Sequence, residues 1–140
     1  MVRAWIYPRF NLAPEKLLRV VEALRELGFE ASISFHYPHP HLPQMGGDQA
    51  SSWADFAIAV GGDGTLLRAF HEVGGRIPLL GVNSGESVGF LLETDLEGLE
   101  QALRSVAQGA YRVEEGLVGR ATAAGWSAQV ANDVAIAPPR

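Results

Sequence analysis

The chain has no cysteine, which excludes disulfide bridges and thiolate metal centres and makes folding indifferent to the redox state of a compartment. Cations are also scarce. Eleven Lys and Arg stand against 16 Asp and Glu, for a net charge of −5, and no basic run is present. Sequence-independent binding to nucleic acid or to an anionic bilayer depends on clustered Lys and Arg, so neither is expected as a partner. Long apolar runs are missing as well. The opening Met1-Val2-Arg3-Ala4-Trp5-Ile6-Tyr7-Pro8 is too short for a signal peptide, and no stretch approaches the length of a membrane span, so a cytoplasmic location is the default expectation. Internal repeats and low-complexity tracts are absent.

What remains is the composition of a globular domain, with 47% hydrophobic and 19% charged residues in a chain of 140. Arg3 to Tyr7 reads as a first strand closed by Pro8. Asn11 then offers a helix cap, with Pro14 in the first turn. Leu17, Val20, Val21, Leu24 and Leu27 repeat at helical spacing, and Gly28 stands where a left-handed cap is common. Phe29 to Phe35 alternates as a second strand, whereas His36 to Ser52, rich in Pro, Gly and His, has no periodicity and reads as a surface loop. Phe56 to Val60 is continuously apolar, as a strand covered on both faces should be, and runs through Gly61-Gly62-Asp63-Gly64-Thr65 into a helical stretch from Leu66 to Val73. Ile77 to Val82 is a further buried strand, and Asp95 caps a helix carrying Leu96, Leu99, Leu103 and Val106 that stops at Gly109.

The fold class is therefore α/β: a Rossmann-like parallel sheet with helices on both faces over residues 1–110, followed by the start of a β-rich second unit over 111–140. Strands are expected at Tyr111 to Glu114, Val118 to Ala123 and Trp126 to Ile136.

The turn from Gly61 to Thr65 lies where an open α/β sheet places its ligand, beyond the carboxyl end of a central strand. Paired glycines let backbone N–H groups approach a phosphate, and the start of the following helix favours an anion. Asp63 projects a carboxylate into that cleft, suited to accept a proton from a hydroxyl or to help hold a metal ion, and Thr65 is positioned to cap the helix. The turn lacks the lysine of a Walker A loop and is not the Gly-x-Gly-x-x-Gly fingerprint. The plainer reading is a turn with an aspartate cap.

Gly61-Gly62-Asp63-Gly64-Thr65 after an apolar strand resembles the signature shared by NAD kinases and by lipid and sphingoid kinases. Pro78-Leu79-Leu80-Gly81-Val82-Asn83 with Gly89-Phe90-Leu91 is similar to the second NAD kinase motif, and no Gly-Thr-x-Asn-Asp segment of the lipid kinases follows. Gly109-Ala110-Tyr111-Arg112-Val113-Glu114-Glu115 is similar to that family's link into its second domain, and Ala131-Asn132-Asp133-Val134-Ala135-Ile136 to its Asn-Glu or Asn-Asp motif.

The resemblance implies transfer of phosphate from ATP, in some members polyphosphate, to the 2′-hydroxyl of the adenosine ribose of NAD, with Mg²⁺ or another divalent ion. It implies Asp63 as the catalytic residue at that ribose and Gly61, Gly62, Gly64 and Thr65 as the phosphate-facing turn. Asn83, Gly89 and Phe90 would line the dinucleotide pocket, and Asn132 and Asp133 would bind ribose hydroxyls. It also implies a homo-oligomer. No residue is singled out as a metal ligand. Two departures accompany it. The turn from Asn83 to Gly89 is one residue longer than usual and carries Glu86, whose carboxylate would repel phosphate. The family's C-terminal segments Gly-Asp-Gly and Thr-Pro-Thr-Gly-Ser-Thr have no counterpart before Arg140.

Competing readings are a non-catalytic nucleotide-binding module, a fragment that needs a partner domain, and a lipid or sugar kinase. His36, His39 and His41, interrupted by prolines and without a neighbouring carboxylate, read as a polar loop. His71 reads as an ordinary helix residue and Arg68 as either phosphate-holding or surface, while Trp5, Trp53 and Trp126 read as packing residues.

Overall fold

The computed structural model describes residues 1–85, 92 and 94–109 in full, and the strands within 112–114, 119–123, 126–130 and 135–137 by their backbone. The chain runs β1 (Arg3–Pro8), α1 (Pro14–Glu26), β2 (Glu30–Ile33), α2 (Gly47–Trp53), β3 (Phe56–Gly61), α3 (Asp63–Val73), β4 (Leu79–Asn83), β5 (Thr94–Asp95) and α4 (Leu99–Ala107). It then continues with β6 (Arg112–Glu114), β7 (Gly119–Ala123), β8 (Trp126–Val130) and β9 (Ala135–Ala137).

The main sheet has the order β2-β1-β3-β4-β9-β6, with β5 also paired to β4. Strands β2, β1, β3 and β4 are mutually parallel, as are β5 and β9 with β4, and only β6 runs antiparallel, against β9. The stretch expected to open a second β-rich unit thus divides. Its first and last strands extend the main sheet, and β7 and β8 form a two-stranded antiparallel sheet of their own.

Period-two alternation assigns each strand residue to one of two cores. Ala4, Ile6, Phe56, Ile58, Val60, Leu80 and Val82 face α1 and α4, where Leu17, Val20, Val21, Leu24, Leu99, Leu103 and Val106 close over them. Trp5, Tyr7, Ala57, Ala59 and Leu79 face α2 and α3, packing with Ala50, Leu66, Ala69, Phe70 and Val73. Helices on both faces explain why these strands read as continuous apolar runs.

Three local expectations are corrected. The residue capping α1 is Ala13, without a side-chain bond, because Pro14 itself opens the helix. Asn11 stays exposed in the preceding turn. Residues 47–53 form helix α2 instead of continuing the loop from His36, and Ile33 and Gln44 form an isolated bridge just before it. The sequence of α2 carries little periodicity, and packing decides: Gly47 lies so close to α3 that a Cβ there would collide with the backbone of Glu72. Asp95 accepts the N–H of Gly98 at 2.8 Å, closing the turn before α4, whose own cap is Gly98.

Trp5 is fully buried, and its indole N–H donates to the Met45 carbonyl at 3.0 Å, fastening the segment that leads into α2 to the central sheet. Trp5→Phe removes that donor and leaves a gap, so urea unfolding is expected to show a loss of about 2 kcal/mol.

Candidate functional site

The chain first steps from β1 to β2 on one side, then returns past β1 to place β3 on the other, so the direction of winding reverses between β1 and β3. The crevice beyond the carboxyl ends of these two strands is where an open α/β sheet binds its ligand. Its walls are the turn after β1, Arg9 to Ala13, and the glycine turn after β3.

The two walls touch. Arg9 N–H donates to the Val60 carbonyl at 2.8 Å, and Leu12 is buried in the core while its carbonyl accepts the Tyr37 hydroxyl at 2.6 Å. Pinned at both ends, the turn displays Phe10, which is 80% exposed. His36 holds the same region from the other side, since its Nε2 meets the Pro8 carbonyl at 2.6 Å and its Nδ1 the Ser34 hydroxyl at 2.7 Å. A carbonyl only accepts, so Nε2 carries the proton in that contact. The ring also lies 4.4 Å from that of Tyr7. His36 is therefore a clamp on the ends of β1 and β2. Among the described residues no group of three or more His, Cys, Asp and Glu side chains is gathered to hold a metal.

Gly61 ends β3, and α3 begins at Asp63 after a single extended residue, Gly62. The first turn of α3 has no side-chain cap, and Thr65, expected to provide one, is instead buried inside that turn with its hydroxyl against Gly61. A Cβ on Gly61 would run into that hydroxyl and come to 3.0 Å from the Cβ of Arg9, so only glycine fits between the two walls. The amides of Asp63, Gly64 and Thr65 precede the first internal bond of the helix, Leu66 N–H to the Gly62 carbonyl at 3.2 Å, and give this end its attraction for anions. Asp63 is half-buried at the head of α3, Gly64 is exposed beside it, and Arg68 lies exposed one turn further on.

Strand β4 brings Asn83 opposite Gly61 in parallel register. Just beyond, Ser84 N–H donates to the Gly61 carbonyl at 3.1 Å, and the Asn83 side-chain oxygen accepts the Gly85 N–H at 2.8 Å. Gly61, Gly62, Asp63, Gly64, Thr65 and Asn83 are thus gathered at one edge of the sheet. Gly89, Phe90, Asn132 and Asp133 lie outside the described residues, as does Glu86. Two neighbours went unnoticed in the sequence: Arg9 against Gly61, and Lys16, whose ammonium donates to the Ser84 carbonyl at 2.6 Å across 68 residues of chain.

Tyr7 is buried near the end of β1. Burial, and then the Glu72 carboxylate, push its hydroxyl pKa up, with Arg68 pulling the other way. Burial and the carboxylate of Glu15 raise that of Tyr37 in the same sense.

A family model described as the ATP-NAD kinase N-terminal domain matches residues 34–111. An NAD kinase of Methanothermobacter thermautotrophicus is 38% identical over 120 residues, covering 82% of this chain and 42% of the relative. One from Geobacter metallireducens is 46% identical over 85 residues, 59% of this chain and 30% of the relative. The chain therefore spans less than half the length of these relatives. A crystal structure of an NAD kinase from Archaeoglobus fulgidus in complex with ATP superposes with a TM-score of 0.58 at 25% identity, covering 81% of this chain and 40% of that one. A yeast NADH kinase complexed with NADH superposes with a TM-score of 0.60 at 16% identity, over 86% and 41%, and shares the fold.

Two measurements probe the site's framework. Gly61→Ala forces Thr65 or Arg9 aside, and urea unfolding is expected to show a loss of about 1–3 kcal/mol. Alkaline pH separates the folded and unfolded states at Tyr7. With its folded pKa raised, the unfolded chain loses the proton first, above about pH 10, while the folded chain keeps it, so stability is whole below that pH and falls as pH rises through the window between the two values. Tyr7→Phe is expected to flatten the fall seen in denaturation at a series of alkaline pH values, and Tyr37→Phe to act in the same direction.

Proposed function

Because the chain belongs to the ATP-NAD kinase family, we propose that its crevice at the carboxyl edge of the sheet binds NAD and ATP, and that it serves transfer of a phosphoryl group to the 2′-hydroxyl of the adenosine ribose of NAD. The observation that carries this reading is the joining of the glycine turn after β3 to the turn after β4, with Asp63 at the head of α3.

In this reading the opening amides of α3 face phosphate, the anion that a helix start favours. The carboxylate of Asp63 accepts the proton of the 2′-hydroxyl as its oxygen bonds to the γ-phosphorus of ATP. The bond from that phosphorus to the bridging oxygen breaks, and ADP departs with the electron pair. Phosphoryl transfer asks little covalent chemistry of a protein, so the residues contribute chiefly position and charge. Arg68 lies exposed on the same helix as Asp63, five residues on, and in this reading its long side chain assists in holding phosphate.

A divalent cation, magnesium, belongs to the same proposal. Asp63 is a hard oxygen donor beside the phosphate-facing turn, which fits an ion that takes one or two carboxylates and completes its shell with phosphate oxygens and water. When bound it would neutralise phosphate charge.

Asn83, Gly89 and Phe90 line the dinucleotide pocket, and Asn132 and Asp133 bind ribose hydroxyls. Residues 1–110 act as the nucleotide-binding domain, to whose sheet β6 and β9 are added while β7 and β8 form a hairpin of their own, and the protein assembles as a homo-oligomer in a cytoplasmic setting. The carboxylate of Asp63 at the head of a phosphate-facing helix favours a kinase, which uses it as a proton acceptor, over a non-catalytic binding module.

Purified chain supplied with NAD, ATP and Mg²⁺ is expected to form NADP, and Asp63→Asn to lower kcat by about 10²–10⁴-fold, the span of a lost general base. Calorimetric titration of NAD into the same preparations accompanies the assay. NAD binding without turnover would favour the binding module, and absence of binding of either nucleotide would defeat the reading altogether.

A further inference from the structure

The chain carries ten arginines but a single lysine, Lys16. It stands in the first turn of α1, is half-buried, and reaches across the end of the sheet to the carbonyl of Ser84. That peptide group and the one before it are both held. Ser84 N–H is bonded to the Gly61 carbonyl, Gly85 N–H to the Asn83 side chain, and Gly85 adopts φ +96°, a conformation that suits glycine. Among the described residues of this turn, the amides of Ser84 and Gly85 are both spent on internal bonds. What Ser84 and Gly85 contribute is the shape of the backbone here, and Lys16 ties that backbone to α1. The choice of an ammonium fits: it is a compact point donor that a lone carbonyl can accept, whereas the planar fork of arginine is matched to carboxylates and phosphates.

We propose that Lys16 is a positioning residue of the nucleotide site: by holding the Ser84 carbonyl it keeps Ser84 and Gly85 locked against the glycine turn after β3, and so pre-forms that side of the crevice for NAD. The inference rests on the reading that this crevice binds NAD. Its physical content is a population. Without Lys16 the turn samples other arrangements, and the fraction competent to bind falls. The apparent dissociation constant rises by the inverse of that fraction.

The test compares the wild-type chain with Lys16→Met and Lys16→Arg by amide hydrogen exchange, urea unfolding and NAD calorimetry. Lys16→Met is expected to speed exchange at Ser84 and Gly85 while leaving Val20 and Val21 of α1 as slow as before. If the competent fraction falls to about a tenth, the Kd for NAD rises about tenfold. Lys16→Arg, which keeps a donor of poorer fit, is expected to lie between the two. Unchanged exchange at Ser84 would overturn the proposal, and so would faster exchange with undiminished NAD affinity, which would reduce Lys16 to a structural tie. A wild-type chain that takes up no NAD would defeat the underlying functional reading first, and the nucleotide role of Lys16 with it, while the exchange data would still report separately on the tie to Ser84.

Discussion

Gly61 has no space for a side chain, and the arrangement of the site depends on that. Its neighbours crowd in from two directions, the Thr65 hydroxyl from the helix that follows and Arg9 from the turn after β1. Its carbonyl holds Ser84, and the preceding carbonyl, that of Val60, holds Arg9. One residue at a strand end thus joins the turns after β1, β3 and β4. Dispersion and hydrogen bonding act only at contact distances, so the joint survives only if the backbones come this close. A glycine makes the approach possible.

The histidine-rich segment after β2 belongs to the same framework. His36 bonds to the end of β1 and to Ser34, Tyr37 bonds to the turn that displays Phe10, and Met45 accepts the bond from Trp5. The segment acts as a strap across the carboxyl ends of β1 and β2, with these side-chain bonds added to the backbone bridge between Ile33 and Gln44. His39 pairs with His41 edge to face, and burial holds the pKa of His39 down.

Much of this was legible in the chain. Continuous apolar strands announced a sheet covered on both faces, the spacing of Leu17, Val20, Val21 and Leu24 announced α1, and the glycine turn after Val60 announced the site. What escaped notice shares a physical cause. Helix α2 has almost no pattern of its own and forms because Gly47 and Ala50 fit against α3, a tertiary effect that outweighs local propensity. Thr65 looked like a cap because threonine favours that role, yet its place was taken by the need to fill the space beside Gly61. Asn11 lost its cap to a proline two residues too late for it. Lys16 and Ser84 meet only after three strands have been laid side by side, and no local spacing encodes such a pair.

The strand order has a consequence for how the chain is made. β1 is synthesised before β2 and β3, yet it lies between them. When Ile33 has been added, β1 has a partner on one side only, and its other edge, running through the buried residues Ala4 to Pro8, waits for Phe56–Gly61. At the roughly 5–20 residues per second of synthesis, that is a delay of about 1–5 seconds. An apolar edge left open for seconds invites pairing with whatever strand is nearest, including one on a neighbouring nascent chain. The His36 strap and α2 are the segments translated in that interval, and Trp5 and Pro8 are the residues they grip. The length of the segment between β2 and β3 thus sets how long the central strand waits for its second neighbour.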